Sequence, residues 1–342
     1  MNLRLSADQQ LLVDTFASLY RDLSPTSVVR AAESGSGIDN KLWTALVETG
    51  AITMGVPEEH GGGGAEMLDL ALVAEQHGRH LAPAPLIEAQ VATRLLASLV
   101  DDGAALDLSD LLSSGRVVTL TVRPSSGSLA TLVPGGWVAD VALVLSGQRL
   151  LIFDLEGHRT KVDNTGGLPL ADITVPADAT EIASGPRAQT AFSVARFEWL
   201  SLMGAALVGI GERALEIGVD YARERKAFGQ PIGAFQEVAH RLADVATAID
   251  GARLLAREAA WAASADPDRF HQLAAMGFAF AAETARAAGY RSLHVHGGYG
   301  SMAEYDIQLY FRRAWAWAAQ YGPPESAYDL VADQRYGLGA ER

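Results

Sequence analysis

Residues 195–228 read ARFEWLSLMGAALVGIGERALEIGVDYARERKAF. The stretch holds no proline, and its apolar residues recur at helical spacing, which predicts one long helix. Gly204, Ala205, Ala206, Gly209 and Gly211 sit in its middle, where small side chains let a second helix approach closely. The end of the stretch overlaps YARERKAFGQPIGAFQ, residues 221–236. Arg225 and Lys226 suit the negative pole of a helix C-terminus, and Gly229, Pro231 and Gly233 then force a turn. Three more helical stretches follow at 235–265, 267–298 and 302–321, joined by short loops. Long helices with short connections predict a four-helix bundle over residues 191–342.

Upstream the texture differs. Within residues 1–103, SADQQLLVDTFASLYRDL (6–23) opens on Ser6 as a helix N-cap, DNKLWTALVETGA (39–51) is a second helix ended by Gly50, and AEMLDLALVAEQHGRHLAP (65–83) is a third. GVPEEHGGGG (55–64) is a loop, since four successive glycines do not make an element interior. Across 104–190 the period shortens: GRVVTLTV, WVADVALVLS, QRLLIFDL, HRTKVDN and LADITVP are brief, β-branched and separated by Gly, Pro and Asp. That pattern predicts a small antiparallel sheet or barrel. The expected fold class is therefore α+β, with a helical domain (1–103), a central β-domain (104–190) and the bundle (191–342).

The bulk composition narrows the function. The chain has 342 residues, 49% of them hydrophobic and 20% charged, and a formal charge of −14. An acidic surface disfavours nucleic acid and anionic membranes as partners, yet leaves room for a small anionic ligand at a local basic cluster. With no cysteine, disulfides, thiolate nucleophiles and Cys-ligated metals are excluded. The sequence opens without a secretory signal pattern, and no window of about 18 apolar residues is expected to cross a bilayer. A cytoplasmic location follows as the expectation.

Two turns carry candidate chemistry. Arg225 has a forked guanidinium able to clamp a phosphate, although capping a helix C-terminus would also explain it. HVHGGYG (294–300) has glycines that let a backbone approach a flat or charged ligand, or simply close a tight turn between helices. No strand precedes it, so it is not a dinucleotide fingerprint. His294 and His296 lack carboxylate company, so no metal is expected. Trp315 and Trp317 are expected in the core or against a neighbouring subunit.

Taken together, these segments resemble the acyl-CoA dehydrogenase family over nearly the whole chain. GVPEEHGGGG is similar to the family's Pro-Glu-Glu-x-Gly-Gly loop, YARERKAFGQPIGAFQ to its Tyr-Ala-x-x-Arg-x-x-Phe-Gly-x-x-Ile-x-x-x-Gln signature, and HVHGGYG to its Gln-x-x-Gly-Gly-x-Gly turn. The resemblance implies that the first signature reaches across a subunit interface to FAD through Arg225, Phe228 and Gln236. It implies cofactor contact by Gly297 and Gly298 as well, and by His294, which stands where the family has Gln. VVTLTVRPSSGS echoes the family's flavin-facing Thr-Glu-Pro loop through Thr121, while the Trp-Ile-Thr strand that follows has no clear counterpart between Ser128 and Val138.

The implied reaction is α,β-desaturation of an acyl-CoA thioester: a glutamate takes the α-proton, the β-hydrogen leaves as hydride to flavin, and electrons pass to an electron-transferring flavoprotein. The family's usual base, in a Tyr-Glu-Gly-Thr segment, aligns with Tyr321, and a phenol is a poor base near neutral pH. Glu325 would need a different backbone path, and Glu304 matches a family glutamate that is not the base. A second family solution puts the base on the first long bundle helix, where Trp199 aligns and Glu198 is one residue, about 100° of helix, away. The chain thus resembles the shorter subunit of bacterial heteromeric acyl-CoA dehydrogenases, including actinobacterial steroid side-chain enzymes. That implies a larger homologous subunit in a heterotetramer. A self-sufficient homo-oligomer using Glu198, or a non-catalytic assembly or acyl-CoA-binding scaffold, are the alternatives.

Overall fold

The computed structural model describes residues 4–101, 108–323 and 325–337. In chain order its helices are α1 (Ala7–Leu23), α2 (Thr26–Ser34), α3 (Asn40–Glu48), α4 (Met67–Arg79), α5 (Leu86–Asp101), α6 (Leu108–Ser113), α7 (Gly185–Glu224), α8 (Gln236–Ala265), α9 (Pro267–His296), α10 (Ile307–Ala319) and α11 (Glu325–Tyr336). The strands are β1 (Val118–Leu120), β2 (Leu129–Val133), β3 (Val141–Ser146), β4 (Arg149–Asp154), β5 (Arg159–Lys161), β6 (Ala171–Thr174), β7 (Thr180–Ser184), β8 (Lys226–Ala227) and β9 (Gln230–Pro231). This is the expected α+β fold of helical N-terminal region, small sheet region and C-terminal bundle. The described residues form two compact units, one from Met1–Thr26, Ala71–Ala82 and Leu200–Arg342, the other from Ser27–Leu70 and Pro83–Trp199. The expected boundary at 103/104 lies outside the described residues.

In the first unit α9 packs against α8, α10 and α11. α7 crosses α9 at glycines: a Cβ on Gly204 would lie 3.3 Å from the Phe278 backbone, and one on Gly218 would lie 2.5 Å from Ser292 Oγ. The tightest crossing is with α4, where a Cβ on Gly209 would stand 1.9 Å from the Glu75 carbonyl and one on Gly78 1.9 Å from the Ala206 carbonyl. Ion pairs flank this crossing. Arg79 bonds Glu212 at 2.8 Å and Glu216 at 2.7 Å, and Arg253 on α8 bonds Glu75 at 2.9 Å and Glu212 at 2.5 Å. Burial works against the charge on Arg253, but Glu75 and Glu212 more than offset it, and its pKa is raised. Ser6 caps α1 in a reciprocal capping box with Gln9. Buried His77 stacks on Trp317 and lies 3.3 Å from the Tyr20 hydroxyl, and burial, with the Arg313 charge adding to it, lowers its pKa to about 3. Trp317 therefore belongs to the core, whereas Trp315 is half-exposed under the Arg286 guanidinium.

In the second unit two sheets have the orders β1-β3-β4-β7 and β2-β6-β5. All pairs are antiparallel except β1 with β3, which run parallel because the chain leaves the first sheet after β1, contributes β2 to the other, and returns. The segment 128–138, expected to lack a counterpart strand, holds β2.

Several elements differ from the periodicity reading. α5 has twelve buried residues and no polar face, so it offers no stripe to detect. α2, α6 and α11 are short, and α7 begins at Gly185 rather than near Ala195. α7 also departs from the expectation that nothing here is apolar enough to cross a bilayer. By length and composition it is, but 78% of its most apolar window is buried inside the protein.

The α4–α7 crossing leaves no room for a methyl group. Gly209→Ala should lower stability by about 2–3 kcal/mol, the cost of overpacking a close backbone contact. Gly251→Ala on the exposed side of α8, where a Cβ meets only the Phe280 ring at 3.4 Å, should be neutral or stabilising by up to about 1 kcal/mol. Urea unfolding of both variants checks this, and equal costs would remove the crossing from its structural role.

Candidate functional site

α7 ends at Glu224 because Arg225 turns out of it: the Arg225 amide still bonds the Tyr221 carbonyl at 2.9 Å, while its own carbonyl accepts from Ile232 N–H at 2.8 Å. Between them β8 and β9 form a two-residue hairpin whose tip is Phe228 and Gly229, at φ 52° and 84°. Two successive positive φ values are the signature of a type I′ turn, a conformation that strains a phenylalanine. Phe228 is nevertheless there and 96% exposed, touching only the edge of Phe235 at 6.2 Å between centroids. Arg225 is exposed and makes no ion pair among the described residues, and Gln236 is exposed at the start of α8. The hairpin thus presents a guanidinium, an aromatic ring and an amide outward together.

The second turn lies at the C-terminus of α9. Gly297 has φ 59° and ψ −140°, a conformation open to glycine alone, and a Cβ on Gly297 or Gly298 would meet nothing within 4 Å. His294 is exposed, its ring tilted 6.1 Å from that of Tyr290. His296, weighed in the sequence only as a metal ligand beside His294, has a packing role. It is buried, its ring is stacked on Tyr221 at 4.0 Å, and its Nδ1 is 2.7 Å from the Ser292 carbonyl. Burial lowers its pKa, so the imidazole is neutral and donates from Nδ1. The stack is possible because Gly218 lets α7 lie against Ser292. It brings the last turn of α7, which leads into Arg225, beside the end of α9, which leads into Gly297. Nothing in the one-dimensional spacing could show that the two motifs meet.

The candidate bases have different surroundings. Tyr321 is 7% exposed and sets its ring edge-to-face with Phe278 at 6.0 Å. In the second unit, Glu198 is 7% exposed and bound by two guanidinium hydrogen bonds, Arg94 Nη2 to Oε1 at 2.6 Å and Nε to Oε2 at 3.1 Å. A third Arg94 bond, from Nη1 to the Gly55 carbonyl at 2.6 Å, anchors the pair. Burial opposes the Arg94 charge, but Glu198 outweighs it and the Arg94 pKa is raised. Trp199 is fully buried and donates its indole N–H to Glu88 Oε1 at 3.2 Å. Thr121 Oγ1 is buried without a hydrogen-bond partner, an orphaned hydroxyl on the segment that follows β1.

An ion pair this enclosed is expensive to break from one side. Glu198→Gln should lower stability by about 1–3 kcal/mol by leaving Arg94 without its counter-ion. Adding Arg94→Met should recover most of the loss, and a double-mutant cycle by urea unfolding measures the coupling. A purely additive cycle would contradict the pairing.

Comparison with known proteins bears on the whole chain. Residues 6–104 match the model of the acyl-CoA dehydrogenase N-terminal domain, and residues 185–335 that of the acyl-CoA dehydrogenase C-terminal domain. Acyl-CoA dehydrogenase IpdE2 of Mycolicibacterium smegmatis is 32% identical over 322 residues, 94% of this chain and 96% of that protein. A chain from the ChsE4–ChsE5 complex of Mycobacterium tuberculosis shares the fold with a TM-score of 0.87 at 23% identity, covering 100% of both chains. Butyryl-CoA dehydrogenase of Megasphaera elsdenii does so with a TM-score of 0.80 at 20% identity, again over 100% of both.

Proposed function

The chain belongs to the acyl-CoA dehydrogenase family, oxidoreductases acting on CH–CH groups, and on that premise we propose that it is the subunit of a heteromeric, FAD-dependent enzyme whose partner supplies the catalytic glutamate. The reaction is α,β-desaturation of an acyl-CoA thioester. One observation carries the reading: neither family base position offers a free carboxylate. Tyr321 fills the usual one, Trp199 the alternative, and the adjacent Glu198 is tied to Arg94. A base must be free to approach the α-proton, and a carboxylate held by two guanidinium bonds is not. The partner is a larger homologous subunit, a choice favoured by the likeness to a chain of the two-component ChsE4–ChsE5 complex. Electrons leave to an electron-transferring flavoprotein, and the assembly works in the cytoplasm.

The residues present fit FAD. An unpaired guanidinium at Arg225, the exposed Phe228 ring, Gln236 and His294 suit a pyrophosphate and a flat base. The open backbone at Gly297 and Gly298 would let that ligand come close. Bound FAD would accept the β-hydrogen as hydride. This chain's own part is to hold the pyrophosphate side through Arg225 and to keep the two aromatic base positions closed to water. Arg225, Phe228 and Gln236 are all exposed in the single chain, as expected of a half-site completed by another subunit.

The test is co-expression with a longer homologous subunit that carries Tyr-Glu-Gly-Thr or a glutamate on its first bundle helix. The single chain should purify nearly colourless, and the complex yellow with flavin absorbance. Arg225→Ala in the complex should cut flavin retention at least about tenfold with the thermal midpoint unchanged, because an exposed cation contributes little to folding. A single chain that purifies with one flavin per subunit and desaturates acyl-CoA unaided would overturn the proposal.

A further inference from the structure

The loop GVPEEHGGGG has no role in what precedes, and its histidine meets carboxylates. Pro57 opens a single 3-10 turn, Glu58–His60, whose last amide bonds the Pro57 carbonyl at 3.0 Å. The glycines after the turn are tied back to the chain before it. Gly63 N–H donates to the Thr53 carbonyl at 3.2 Å and Gly64 N–H to the Val56 carbonyl at 2.9 Å. The turn is therefore held by local backbone bonds, and it sets Glu59 and His60 against Asp101, the last residue of α5. His60 Nε2 donates to Asp101 Oδ1 at 2.6 Å, across 41 positions of sequence. One ligand atom from each of Glu59, His60 and Asp101 lies within 4.8 Å of the other two.

A surface imidazole–carboxylate pair by itself needs no ion and contributes little. Two further observations set this one apart. Glu59 brings a second carboxylate to the same spot, and neither it nor Asp101 makes an ion pair with a lysine or arginine among the described residues. The spot is also the C-terminus of α5, a helix of 16 residues with no basic residue in its last turn. Arg187 donates to the Leu99 carbonyl there at 2.7 Å, but it is paired with neither carboxylate. An acid at this end stands against the helix dipole. Two carboxylates and a helix C-terminus thus converge on one imidazole, which carries at most a single positive charge.

We propose that Glu59, His60 and Asp101 bind a divalent transition-metal ion of the zinc class, with water completing its coordination, and that the ion clamps the loop to the end of α5. An imidazole nitrogen with two carboxylate oxygens suits zinc and its neighbours, whereas magnesium and calcium favour oxygen alone. Zinc bonds of about 2.0–2.1 Å put tetrahedral donors about 3.3 Å apart, so His60 and Asp101 need part by only about 0.7 Å. Ligation replaces the proton on His60 Nε2, which leaves to solvent, and both carboxylates gain a counter-charge. None of the three residues is among those proposed for FAD, and the inference does not depend on the acyl-CoA reading.

The full-length, untagged chain, stripped of metal with a chelator, is titrated calorimetrically with zinc chloride and separately with magnesium chloride. Zinc should bind this site at one ion per chain with release of a proton, and magnesium at the same concentration should give no heat. His60→Gln, Glu59→Gln and Asp101→Asn should each weaken zinc binding about tenfold or more. His240→Gln, at an exposed position of α8, should leave it unchanged. Zinc should also raise the unfolding midpoint of the wild type but not of His60→Gln, because an ion that binds only the folded chain stabilises it. Without metal the midpoints of all variants should lie close together, which shows that each is folded. A plain salt bridge would give no zinc heat, and that result overturns the proposal. Zinc binding that survives all three substitutions to within about threefold is an adventitious ion only, and overturns it equally.

Discussion

The bundle is organised around a backbone-to-backbone contact. At the α4–α7 crossing two glycines, Gly78 and Gly209, each face a carbonyl of the other helix with no space for a methyl group. Such a contact fixes the axial position of one helix on the other, since sliding by a residue would put a side chain where only hydrogen fits. With the register fixed, Arg79 meets Glu212 and Glu216, and Glu75 meets the arginine that α8 supplies. These charges are partly buried, where an ion pair repays its desolvation only if the geometry is good. The glycines supply that geometry. Three helices thus have their relative positions set by the absence of two side chains.

The same device recurs where the two glycine-turn motifs meet. Gly218 admits Ser292, and the approach allows Tyr221 to stack on His296. The stack joins the helix ends from which the Arg225 hairpin and the Gly297 turn emerge. A positive φ at Phe228 and a glycine-only conformation at Gly297 then aim their groups outward. Conformations of this kind persist where surrounding structure holds them, and they concentrate at ligand clamps. Here a bundle end holds two turns in the positive-φ region, the two on which the proposed cofactor site rests.

Glu198 and Glu88 show how little a residue type says about its role. Both are glutamates that are more than nine-tenths buried; Glu198 lies on α7, and Glu88 is bonded by its neighbour Trp199. Glu198 has a guanidinium and is thereby immobilised. Glu88 has an indole N–H instead, and burial raises its pKa. The difference comes from Arg94, whose three hydrogen bonds go to Glu198 and to the Gly55 carbonyl. Counting carboxylates along the sequence gives both the same standing, and the contacts separate them.

The sequence by itself determined the elements whose signal is local. The proline-free apolar run of α7, the Ser6 cap, the glycine turns at 229 and 297 and five of the short strands (β1, β3, β4, β5 and β6) were legible, because helix period, capping and positive φ are properties of a few adjacent residues, whereas β2 and β7 were not read. Arg225, Phe228, Gln236 and Tyr321 could be located by motif alone, because a motif is a local pattern, and the roles given to them belong to the proposal. Tertiary structure decided the rest. α5 was invisible because a helix buried on every side has no stripe. The parallel pairing of β1 and β3 depends on where the chain goes between them. The Arg94–Glu198 pair, the Trp199–Glu88 bond and the Tyr221–His296 stack join residues from 75 to 111 positions apart. Such contacts arise from helix packing and burial, which no sequence window contains.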